Sequence, residues 1–135
     1  RETWGDGLFF AFSTLDATGR FALQLMDLLH ETHWESLGLS HPMSLRVALH
    51  AGPVYLSVDP ITGLRKTAGT HVSRAARLEP QTPPGEIYAS EAFAALTAVE
   101  KCEDFACEYV KQLRWAKQYG TFPTYVVRPR KRVGC

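Results

Sequence analysis

No apolar run in this chain of 135 residues approaches the ~20 that a membrane-crossing helix requires, so no spanning segment is expected. No signal peptide is visible, and a cytoplasmic location is the expectation. Charge of one sign is missing as well. The 15 Lys and Arg against 14 Asp and Glu leave +1, scattered along the chain, so electrostatics give no case for nucleic acid. Cysteine is scarce: Cys102, Cys107 and Cys135 are odd in number, and none pair at zinc-knuckle spacing. Reduced thiols are the reading. Repeats and low-complexity tracts are absent. The one local excess of charge, Arg128-Pro129-Arg130-Lys131-Arg132, reads as a solvated basic tail. A single domain over residues 1–128 with a tail over 129–135 is therefore expected, since a chain of this length buries one core.

What is present alternates between strand and helix patterns. Arg1–Trp4 and Leu8–Phe12 read as strands joined through Gly5-Asp6-Gly7, where Asp-Gly is a strong hairpin signal. Ala17, Phe21, Leu25, Leu28 and Leu29 recur at helical spacing, predicting a helix to about Glu35, stopped before Gly38. Leu45, Val47 and Leu49 alternate with Arg46, Ala48 and His50 as in a strand buried on one face. Ala51-Gly52-Pro53 turns into Val54–Val58, and Asp59–Gly63 is a loop. A short helix Thr70–Leu78, a strand Glu86–Ala89, a helix opening at Ser90 and late strands Phe105–Val110 and Thr124–Val127 follow. The pattern predicts an α+β fold, one sheet holding Leu8–Phe12, Leu45–His50, Val54–Val58 and Glu86–Ala89 with helices packed on it.

The chemistry concentrates on the short helix. Ser73 and Arg77 lie four residues apart and share a face, with Val72, Ala75 and Ala76 on the opposite one. Asp6 adds a carboxylate at the hairpin turn. A carboxylate and an arginine on separate elements suit chemistry on a metal-bound polyphosphate. The bland alternatives are a plain turn at Asp6 and an Arg77–Glu79 ion pair. His50, at a strand end, reads as structural. Phe9, Phe10, Phe12, Trp34, Trp115 and Tyr119 read as core or interface rather than ligand stackers.

Thr3–Gly7, Leu45–Val54, Gly69–Glu79 and Pro84–Ile87, in that order and ending on a strand near Tyr125–Val127, resemble the class III adenylate and guanylate cyclases. The resemblance covers nearly the whole chain. It implies a ferredoxin-like core with a mainly antiparallel sheet. It also implies conversion of a nucleoside triphosphate to a 3′,5′-cyclic nucleotide and pyrophosphate. In the family, the residue matching Asp6 shares two Mg2+ or Mn2+ ions with an aspartate of a first strand. That motif would lie before Arg1, so Asp6 is expected to be half of the metal site and residues 1–135 alone to have little activity. Arg77 matches the arginine that reaches the phosphates, a task suited to a permanently charged bidentate donor.

Three positions depart from the family pattern. Ser73 replaces an asparagine that orients the ribose, and its short hydroxyl reaches a sugar only at closer range or through water. Glu2 stands where guanylate cyclases carry glutamate. Its partner position is Lys66, or Thr67 if the alignment shifts by one, and this pairing fits neither the adenine nor the guanine pattern. The substrate base therefore stays open among adenine, guanine and a pyrimidine. Two functions follow: a nucleotide cyclase, or a degenerate cyclase-homology domain that binds nucleotide, dimerises or regulates without turnover. The resemblance also implies a head-to-tail homodimer, with Asp6 of one protomer and Arg77 of its partner sharing a site.

Overall fold

The computed structural model describes residues 2–4 and 7–130. Strands β1 (Glu2–Trp4) and β2 (Gly7–Phe9) form an antiparallel hairpin with Thr3 opposite Leu8. The turn carrying Asp6 lies outside the described residues. Helix α1 (Leu15–Glu31) starts at Thr14, whose Oγ1 accepts from the Ala17 N–H at 3.1 Å. It stops four residues before the predicted end, because Thr32 turns extended and the next turn, Trp34–Leu37, is 3-10. Gly19, Ala22 and Met26 form its buried stripe. A Cβ at Gly19 would fall inside the Phe105 ring, so glycine is what lets α1 cross the sheet this closely.

Strands β3 (Val47–Leu49), β4 (Tyr55–Val58) and β5 (Arg65–Ala68) lead to helix α2 (Thr70–Leu78). Strand β6 (Ile87–Ser90) then runs directly into helix α3 (Glu91–Glu100). The long strands β7 (Phe105–Trp115) and β8 (Gly120–Pro129) close the chain as a hairpin. The central sheet has four strands in the order β3-β6-β8-β7. Its β3–β6 pair is parallel and the others antiparallel, with Leu49 opposite Ala89, Ala89 opposite Tyr125 and Cys107 opposite Val127. The core beneath the helices combines Met26, Leu49, Ile87, Phe93, Phe105 and Val127, all buried.

The α+β architecture stands as expected. Sheet membership does not: Gly7–Phe9 and Tyr55–Val58 each belong to a separate two-stranded ribbon rather than the central sheet. For β4 the reason is local. Asp59 Oδ1 accepts from the N–H groups of Ile61 (2.8 Å) and Thr62 (3.3 Å), and Gly63 takes φ +69°. That turn folds β4 back onto β5 over a short loop, which costs little closure entropy. The backbone N–H groups of Ile61 and Thr62 hold the Asp59 carboxyl below the usual carboxylate range. Every residue of β4 is exposed, so no apolar face draws it toward the core.

Four of the aromatics read as core or interface pack in two groups. Phe10 and Phe12 each lie 5.1 Å from Phe21 of α1, and Trp115 and Tyr119 gather with Phe122 at the far end of the β7–β8 hairpin. Trp34 lies apart, its Nε1–H donating to the Leu29 carbonyl at 3.2 Å. Cys102 is buried, Cys107 is half-buried, and both are free thiols whose pKa burial pushes up. Among the described residues no helix is long and apolar enough to cross a membrane.

Candidate functional site

Helix α2 is the element that displays the predicted chemistry, with the bounds its periodicity predicts. Gly69, at φ +129°, swings the chain from β5 into the helix, and its carbonyl accepts from the Ser73 N–H at 3.4 Å. Val72 and Leu78 are buried, while Ser73 is exposed and Arg77 only partly covered. At about 3.6 residues per turn the Ser73–Arg77 edge faces away from Ala75, so the short apolar side points inward. The far end of the helix is fastened by buried Thr82, whose Oγ1 donates to the Leu78 carbonyl at 3.1 Å.

The Arg77–Glu79 pair does not form. Glu79 is taken by Arg46, Nε to Oε1 at 3.0 Å, and Arg77 has no ion pair among the described residues. A guanidinium left unpaired on a helix edge is available to an external anion. Lys66, on β5, is exposed and pairs with Asp59 at 3.4 Å. Of the other base-reading positions, the side chains of Glu2 and Thr67 lie outside the description. Asp6 lies outside it altogether. The structure thus brings Ser73 and Arg77 together, with Lys66 one strand upstream. Among the described residues no cluster of three or more His, Cys, Asp or Glu is placed to hold a metal ion.

A constellation with no sequence expectation behind it lies beneath α2. His50, just after β3, has Nδ1 at 2.6 Å from Ser90 Oγ and Nε2 at 2.7 Å from His71 Nδ1. The two imidazoles stack at 5.0 Å with planes 16° apart. Ser90 also caps α3, accepting from the Phe93 N–H at 3.2 Å. Burial, then the neighbouring charges of His71 and Arg74, lower the His50 pKa to about 4, so it is neutral at physiological pH. Arg74 lies with its guanidinium carbon 5.9 Å from the Phe122 ring centroid, and its Nε is buried without a hydrogen-bond partner among the described residues. The available signal was two histidines, one at a strand end and one in the first turn of a helix, but their separation of 21 residues hides the contact.

Nucleotide cyclase domains are among the solved structures that share this fold. The guanylate cyclase domain of RhGC from Catenaria anguillulae, in complex with GTP, superposes with a TM-score of 0.71 at 22% identity, over 87% of this chain and 60% of that one. An adenylate cyclase from Trypanosoma brucei gives 0.71 at 14% identity, over 84% of this chain and 64% of that one. The adenylyl cyclase CyaB from P. aeruginosa gives 0.68 at 20% identity, over 87% and 60%. No protein-family model and no curated protein matches significantly. This chain therefore has the class III nucleotide cyclase catalytic fold. It spans less than two thirds of the length of these structures.

Proposed function

We propose that this chain is the catalytic domain of a nucleotide cyclase, acting on a nucleoside triphosphate. The observation that carries the reading is Arg77, without an ion pair among the described residues, beside Ser73 on the outer edge of a helix in a cyclase fold. In the reaction the ribose 3′-oxygen bonds to the α-phosphorus, the bond to the bridging oxygen breaks, and pyrophosphate leaves while the hydroxyl proton passes to solvent. Arg77 holds phosphate oxygens bidentately and offsets the charge that grows on them. Ser73 accepts from or donates to the ribose hydroxyls, directly or through one water. Asp6 is the carboxylate we assign to Mg2+ or Mn2+, both of which favour oxygen ligands. Free Cys102 and Cys107 suit a reducing cytoplasm.

The finer reading is a head-to-tail homodimer in which Asp6 of one protomer and Arg77 of its partner serve one triphosphate. The β4–β5 ribbon supports it, because Tyr55, Leu56, Val58 and Leu64 are all exposed there and a lone two-stranded ribbon is marginal in water. A second reading, nucleotide binding without turnover, is favoured by one observation. Lys66, at a base-reading position, is already engaged by Asp59.

Complementation separates the two. Asp6→Ala and Arg77→Ala versions of the full-length protein should each lose most cyclic nucleotide production. Mixed, they form heterodimers with one site built from wild-type halves, and roughly a quarter of the wild-type rate should return under random pairing. Nucleotide binding with no turnover in the wild type would instead establish the regulatory module.

A further inference from the structure

We infer that His71, hydrogen-bonded through His50 to Ser90, is the positioning residue that fixes where α2 presents Ser73 and Arg77. This inference rests on the cyclase reading of those two side chains. Helix α2 has nine residues, too few to persist without tertiary contacts, and its first turn has no side-chain cap. The fastening there is the imidazole pair. His71 belongs to that first turn, and His50 continues the link to Ser90, which is 3% exposed and joins β6 to α3. The first turn is thereby bonded to the buried junction of β6 and α3.

Both neutral proton arrangements satisfy the chain of contacts. In one, His71 Nδ1–H donates to His50 Nε2, and His50 Nδ1–H donates to Ser90 Oγ. In the other, Ser90 Oγ–H donates to His50 Nδ1, and His50 Nε2–H donates to His71 Nδ1. In each, Ser90 Oγ still accepts from the Phe93 N–H.

Direction is what this link adds. The apolar contacts of Val72 and Leu78 resist separation but have no preferred angle, whereas a hydrogen bond weakens steeply when bent. The fit is tight on the other side too, since a Cβ at Gly52 would overlap the His71 ring. One turn further on, Arg74 rests over Phe122 and holds the same side of the helix. Arg77 follows six residues after His71, about 9 Å along the axis, so rotation at the first turn displaces its guanidinium. Misplacement of a catalytic group by about 1 Å can cost ~100-fold in rate.

The test compares His71→Ala with His71→Asn, which keeps an N–H near the position of ring Nδ1, in the full-length protein. With the wild type active, His71→Ala should lower kcat about 10- to 100-fold with KM within about threefold, and His71→Asn should recover most of the loss. Amide exchange should speed at least about tenfold for Ser73–Arg77 in His71→Ala, while α3 and β8 keep their protection. Unchanged kcat, a change in KM alone, or exchange that rises equally across the sheet would overturn the inference. If the wild type makes no cyclic nucleotide, the cyclase reading fails by itself. The exchange pattern still decides the tether: loosening confined to α2 upholds it, and unchanged exchange overturns it.

Discussion

Two helix caps in this protein share one local geometry and differ in what stands behind them, which makes Ser90→Ala informative. Thr14 Oγ1 accepts from Ala17 at 3.1 Å in an exposed setting, and Ser90 Oγ accepts from Phe93 at 3.2 Å in a buried one. Losing either cap should cost about 1 kcal/mol. Ser90→Ala also strands His50 Nδ1, which the serine meets at 2.6 Å. A buried polar atom without a partner adds about 1–3 kcal/mol. Ser90→Ala should therefore cost about 2–4 kcal/mol against about 1 for Thr14→Ala. Urea denaturation followed by circular dichroism reads this as a midpoint difference near 1 M, given a slope of about 1–3 kcal/mol per molar. In a His50→Ala background the extra cost should disappear, leaving only the cap. Equal midpoint shifts for Ser90→Ala and Thr14→Ala, at unchanged slope, would show that the His50–Ser90 contact contributes nothing and refute the reasoning.

The same histidine predicts a pH dependence. Its pKa is about 4 in the folded chain against an ordinary 6.5, so the unfolded chain binds more protons between those values. The contribution is complete above pH 6.5 and is lost as pH falls through 4. His50 is only half-buried, and solvent screening leaves about 1–2 kcal/mol of the ~3 a sealed site would give. His50→Leu should flatten that part of a stability-against-pH curve measured by urea midpoints, and an unchanged slope would assign the dependence to other groups. Gly19→Ala forces a methyl into the Phe105 ring and should cost about 1–3 kcal/mol by overpacking. A thermal midpoint equal to wild type would mean that α1 can lift off the sheet without penalty.

Local order was legible in the sequence. The bounds of α2 follow from Gly69 before it and the spacing of Val72 and Leu78, and Ser90 announces itself as a cap. These features depend on neighbours within about one turn, so a linear reading reaches them. The cyclase fold is what the family resemblance of the Leu45, Gly69 and Pro84 segments implies, and the superposed structures share it. Helix α1 ends short of the point its apolar spacing predicts, because Thr32 turns extended where that spacing alone gives no stop.

Partnership, by contrast, was decided in three dimensions. Nothing along the chain distinguishes Arg46 from Arg77 as the partner of Glu79, yet folding gives Glu79 to Arg46 and leaves Arg77 without an ion pair among the described residues. Nor does the alternation around Tyr55 reveal that its ribbon pairs only with β5, because strand pattern carries no record of which edge a strand will meet. His50 looked like an isolated structural residue. Its role as the centre of a polar link exists only because β3, α2 and β6 converge, bringing Ser90 from 40 residues away and His71 from 21. Short-range sterics and capping determined the elements; long-range packing, which alone sets the distances between polar atoms on different elements, decided what they do together.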